Sequence, residues 1–182
     1  MNTTEGQTLA VVNEEVPGGF VGLPRSGEKS SESVALELVG AVELSRGNLS
    51  GAKGTALKLP VRAHLMDEFF GTSCYVGSSA SPITLDLTTG TTSPPKPNKP
   101  ITGSEGVYES KEEGKLVLYK SDSLVENAFS VPAAKGCGGA EESLIDPIVN
   151  SKYRLPSAAG NSTAIFSGTS EFASAEAVKR SE

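Results

Sequence analysis

A chain of 182 residues is long enough to form one domain with a proper core, without metals to hold it together. Its 20 Gly and 11 Pro, with aromatics at only 5%, favour many turns and strands over a helical bundle. A net charge of −6 argues against nucleic-acid binding, which needs a concentrated basic surface, and no window approaches the roughly 18 apolar residues that span a bilayer.

Residues 1–32 read as a weakly ordered segment. Pro17, Gly18, Gly19, Pro24 and the polar run Ser26–Ser33 punctuate it, with one short strand expected near Thr8–Val12. Met1 to Val16 carries Glu5, Glu14 and Glu15, and lacks the basic and apolar regions of a signal peptide. A cytoplasmic chain would start this way, and so would the mature form of an exported one.

Residues 33–178 are expected to form a single β-rich domain. From Ser33 to Leu44 the residues Val34, Leu36, Leu38, Val42 and Leu44 share one parity, while Glu37 and Glu43 take the other. That is the period-two pattern of a half-buried strand. After the turn Arg46–Gly51, alternation resumes: Thr55, Leu57, Leu59, Val61, Ala63 and Leu65 lie on one face, Lys58, Arg62 and His64 on the other. Two such segments joined by a short Gly/Asn loop predict an antiparallel pair, and Pro60 predicts an edge or a bulge. Further strands are expected around Cys74 and Tyr75, over Pro82–Thr88, at Lys115–Lys120, at Leu124–Val131 and at Ser162–Gly168.

Between them, Ser93–Pro100 has four prolines in eight residues and cannot join a sheet interior. It predicts an extended polyproline crossing of about 25 Å. Glu141–Tyr153 is the one helical candidate, with Leu144, Ile145, Ile148, Val149 and Tyr153 at helical spacing. Pro147 inside it predicts a kink or two short turns. The fold class that results is all-β and mainly antiparallel, a sandwich of about six to eight strands with one short helix near 141–153.

Candidate chemistry is sparse. His64 is the sole histidine, with Asp67 and Glu68 close in sequence; histidine and acid together can make a general base and its orienter. No Gly-x-Ser-x-Gly accompanies them, so a solvated surface histidine is the plainer reading. One histidine and two distant cysteines make no spaced metal-ligand set. Gly136–Gly139 lacks the remaining marks of a phosphate loop. The frames Pro94–Pro97 and Pro97–Pro100 fit SH3-type recognition in form, but a spacer is by far the plainer reading. Asn2, Asn48 and Asn161 head glycosylation sequons, which matter only in a glycosylating pathway.

Cys74 and Cys137, 63 positions apart, permit a single pairing, which would stabilise by about 4 kcal/mol on the chain-entropy view. Two unrelated buried thiols are the alternative.

Two stretches carry a resemblance. Cys74-Tyr-Val-Gly-Ser-Ser-Ala-Ser-Pro runs on through the Pro-rich segment to Gly103; Gly136-Cys-Gly-Gly139 is followed by Ile145-Asp-Pro-Ile-Val-Asn150 and Leu155-Pro-Ser-Ala-Ala-Gly160. Together they resemble a group of uncharacterised exported proteins of actinobacteria, over roughly residues 33–178. The resemblance implies a precursor with a signal peptide and a Cys74–Cys137 bond; it implies no activity. The absence of a signal peptide in this sequence departs from that pattern.

The expectation is therefore a non-enzymatic secreted or cell-envelope protein that acts through binding or structure. No catalytic, metal or cofactor-binding residue, no nucleic-acid partner and no membrane span is expected. The alternatives are a carrier of a small apolar ligand between the sheets, and a hydrolase using His64 with Asp67 or Glu68.

Overall fold

The computed structural model of the chain describes residues 14, 15, 33–67 and 69–174. The expected strand at Thr8–Val12 lies outside them, as do most of residues 1–32. The described residues form two antiparallel sheets over one hydrophobic core, with one helix longer than a single turn.

The first sheet is organised by β4 (Leu57–Met66), where alternation was strongest. β2 (Ser33–Leu38) pairs with its C-terminal half and β3 (Glu43–Leu44) with its start; β1 (Glu14–Glu15) adds to the far side of β2. On the other side of β4 lie β5 (Tyr75–Val76) and β6 (Ile83–Leu87), and β9 (Ala134–Lys135) extends β5. The register sets Val34 opposite Leu65, Leu36 opposite Ala63 and Leu38 opposite Val61, so the apolar parity of both strands faces inward together.

Pro60 does not mark an edge, because β4 is the sheet's central strand. Its carbonyl accepts from the Val39 amide at 3.0 Å, and a strand residue presents its N and O to the same neighbour. The amide hydrogen that proline lacks would thus point at the break between β2 and β3. Connecting β3 to β4 is a single helical turn, α1 (Arg46–Leu49), which starts where the Ser45 hydroxyl accepts the Asn48 amide and buries Leu49.

The second sheet has β8 (Leu116–Glu126) at its centre, between β7 (Val107–Lys111) and β10 (Ala164–Ala173). The strands expected at 115–120 and 124–131 are one strand that ends at Glu126. Ser121, with φ 57°, is the extra residue of a bulge opposite Gly168 and Thr169, and it restores the inward parity of Val117 and Tyr119 at Leu124. Thr88, just after β6, exchanges backbone bonds with Val125 at 3.0 and 2.9 Å, which stitches the sheets along one side. Leu59, Val61, Leu85 and Leu87 from one sheet and Val117, Tyr119 and Leu124 from the other share the core.

Residues 93–100 do not cross the molecule. The amide of Thr92 donates to the Ile101 carbonyl at 2.9 Å and that of Gly103 to Gly90 at 3.0 Å, so the segment leaves and returns at one place. Its turn, with the Lys96–Pro97 peptide cis, is pinned by Asn98, whose Nδ2 donates to the carbonyls of Asn127 (3.0 Å) and Ser162 (2.8 Å). Four prolines forbid ladder pairing, but side-chain bonds from an asparagine can still fold such a segment back.

The helix α2 (Glu142–Tyr153) follows a 3₁₀ turn at Gly139–Glu141 and runs through Pro147 as one element. It buries Ile145 and Val149 with Tyr153 half-buried, whereas Leu144 and Ile148 are exposed. Its expected apolar face is therefore a single stripe at i, i+4 spacing.

Candidate functional site

The most chemically loaded place is the outer face of the first sheet. Side chains alternate along β4, so Arg62, His64 and Met66 all project away from the core. Glu37 stands directly opposite Arg62 in the β2–β4 register. The Arg62 guanidinium contacts Glu37 Oε2 through Nε at 2.8 Å and through Nη2 at 2.6 Å. Glu37 Oε1 lies 3.6 Å from His64 Nδ1. On the other side of β4, Tyr75 of β5 is the cross-strand partner of His64, and their rings stack with centroids 4.4 Å apart. The Arg62 guanidinium lies 4.0 Å from the centre of the same tyrosine ring.

His64 thus lies between an acid and an aromatic ring. Its Nε2 is buried and has no hydrogen-bond partner. His64, Met66, Asp67, Gly71 and Thr72 line a pocket of about 380 Å³ beside the cluster.

Asp67 closes a tight turn at the pocket's rim. It bridges to Gly71, and its Oδ1 accepts the Phe69 amide at 2.8 Å. Gly71 adopts φ +73°, which a side chain would resist. The Phe70 carbonyl takes the Gly138 amide at 2.7 Å, so this turn is fastened to the loop that carries Cys137.

The acid beside His64 is therefore Glu37, while Asp67 accepts a bond within its own turn; Glu68 lies outside the described residues. Nothing near His64 in sequence signals Glu37, but once β2 is paired with β4 the two must share a face. Among the described residues no hydroxyl is hydrogen-bonded to Nε2.

Cys74 and Cys137 form a disulfide, and neither sulfur-bearing residue has accessible surface. The bond ties the residue before β5 to the loop after β9, next to the β5–β9 pairing of Tyr75 with Lys135 and Val76 with Ala134. From α2, Asp146 accepts the Cys137 amide at 2.8 Å and the Gly136 amide at 3.3 Å. No helix among the described residues is long and apolar enough to cross a membrane, and no group of three histidine, cysteine or acidic side chains among them could hold a metal ion.

Compared with protein-family models, curated proteins and solved structures, the chain matches none.

Proposed function

We propose that this protein works outside the reducing cytosol, secreted or held in the cell envelope, as a non-enzymatic domain acting through binding or structure. The observation that carries the reading is the fully buried Cys74–Cys137 bond. Persistent structural disulfides belong to oxidising compartments and are rare in the cytosol of most organisms. A pair sealed inside a core, with its loop clamped by Asp146, is built for permanence rather than for exchange with other thiols.

The non-enzymatic part draws support from the outer face. Glu37, Arg62, His64 and Tyr75 mainly satisfy one another, as a cross-strand ladder does, and a reacting group would have to break that ladder to engage. The inward side chains of the two sheets pack in one cluster, so a ligand between them would have to displace core residues. An exposed face is the better place for binding.

Fractionation of the producing cells, with the chain followed by mass spectrometry, tests this reading. The protein should be found in the medium or the envelope fraction. Confinement to the cytosol, or turnover of an ester or glycoside panel that His64→Ala abolishes, would overturn it.

A further inference from the structure

We propose that two copies of this chain join through the outer edge of β10, pairing antiparallel about a two-fold axis at Thr169. β10 is an edge of the second sheet: β8 pairs with one side of it, and no strand among the described residues pairs with the other. None of its ten residues is buried. Edge strands that stay single are blunted by shortness, charge or proline, and the opposite edge of this sheet follows that rule, since β7 has five residues and bears Glu109 and Lys111. From Ala164 to Ser170, β10 carries no charge and no proline. Its Ile165, Phe166, Thr169 and Phe172 are the β-branched and aromatic residues that suit a ladder.

The Ser174 amide donates to the Lys115 carbonyl at 2.8 Å, so, counting back in twos, residues of even number turn their backbone groups toward β8. Ser123 and Val125 turn theirs the other way, to Ser104 and Thr88, which leaves Ser167 and Ile165 opposite them facing outward. Ile165, Ser167, Thr169, Glu171 and Ala173 thus present N–H and C=O to a further strand. An antiparallel copy centred on Thr169 pairs all five: Thr169 with itself, Ser167 with Glu171, Ile165 with Ala173. Moving the centre one residue either way leaves one end of the five without a partner in the other strand.

The same register suits the side chains. On the core side of β10, opposite buried Leu124 and Val117, stand exposed Phe166 and half-buried Phe172. Each Phe166 meets the second copy's Phe172 at a non-hydrogen-bonded position, where side chains come closest, so the pairing extends the apolar face of both sheets. The strand's one charge, Glu171, falls opposite Ser167 and not opposite itself. Such a contact uses the same patch on both chains and closes at two.

This inference goes beyond the binding reading and holds in any compartment. A single ladder is small for an interface, so the dimer should be reversible, its population set by concentration. Sedimentation velocity of the full chain, disulfide intact, from low micromolar to near-millimolar concentration should show monomer passing to dimer. Thr169→Pro deletes the amide at the axis in both copies, and with it two hydrogen bonds, so it should weaken the dimer by at least about tenfold. Thr169→Lys sets like charges face to face at an exposed position; it should weaken the dimer too, and added salt should restore part of the loss. Neither change touches a bond to β8, so both variants should match the parent in circular dichroism. Hydrogen exchange should protect the amides of Ile165, Ser167, Thr169, Glu171 and Ala173 only as dimer accumulates. Monomer at every concentration, or a dimer that tolerates both variants, overturns the proposal. So does protection of those five amides in the monomer, which would mean that another segment of the same chain covers the edge.

Discussion

Asn150 holds the backbone of Ala134 with both ends of its side-chain amide: Oδ1 accepts the Ala134 amide at 2.7 Å, and Nδ2 donates to the Ala134 carbonyl at 3.0 Å. Its side chain thus stands where a further strand would pair with β9, a two-residue edge strand that could not otherwise be closed. One turn earlier on α2, Asp146 takes the next two free amides, at Gly136 and Cys137. The helix therefore holds the sheet's last strand and the second half of the disulfide through a polar stripe beside its apolar one.

Asn150→Ala removes both bonds and leaves buried Ala134 groups without partners. It should destabilise by about 2 kcal/mol in urea unfolding, against about 1 kcal/mol for a single exposed bond. Asp146→Ala should cost a similar amount. Because both hold one short segment, the double variant should cost less than the sum.

The loop at 93–100 rests against Gly160, whose φ is +85° and whose added Cβ would lie 2.4 Å from the Pro95 carbonyl oxygen. Gly160→Ala should therefore lift the loop as well as strain the backbone, at a cost of about 1–3 kcal/mol. Limited proteolysis should cut the variant between Pro94 and Pro100 faster than the parent, while β4 stays protected.

Glu126 is buried at the end of β8, and burial raises its carboxyl above the ordinary glutamate range; the Ala128 and Asn127 amides oppose this, and Asp86 adds to it. An acid whose folded-state pKa is raised favours folding most when protonated. Its contribution is complete below the unfolded value near 4.5 and is lost as pH rises through the folded one. Relative to Glu126→Gln, the parent should lose stability from acid toward neutral pH in urea unfolding. Parallel stability curves for the two would contradict this assignment.

Much of the fold was legible because buried Leu59, Val61, Ala63 and Leu65 alternate with less buried residues along β4, and Val34, Leu36 and Leu38 keep the matching parity across the ladder. β7 was not, since Val107-Tyr-Glu-Ser-Lys111 is an edge strand with little to bury and so little pattern. The bulge at Ser121 split β8 into two apparent strands, because one extra residue shifts the parity that alternation depends on. In sequence the Pro-rich loop looks extended because proline fixes local geometry, whereas its fold-back depends on Asn98 reaching carbonyls 29 and 64 positions away. For the same reason sequence proximity points His64 at Asp67 and Glu68, whereas the acid beside it sits across the ladder at Glu37. Contacts set by register become visible only after the strands are paired.

Everything proposed for location turns on the state of two sulfur atoms in the native protein. The direct measurement is to quench producing cells in acid, denature without reductant, alkylate, and weigh the peptides that contain Cys74 and Cys137. One cross-linked peptide pair is expected, with no alkylated cysteine until reductant is added. Both cysteines alkylated in the freshly quenched sample would show two thiols, and would contradict it.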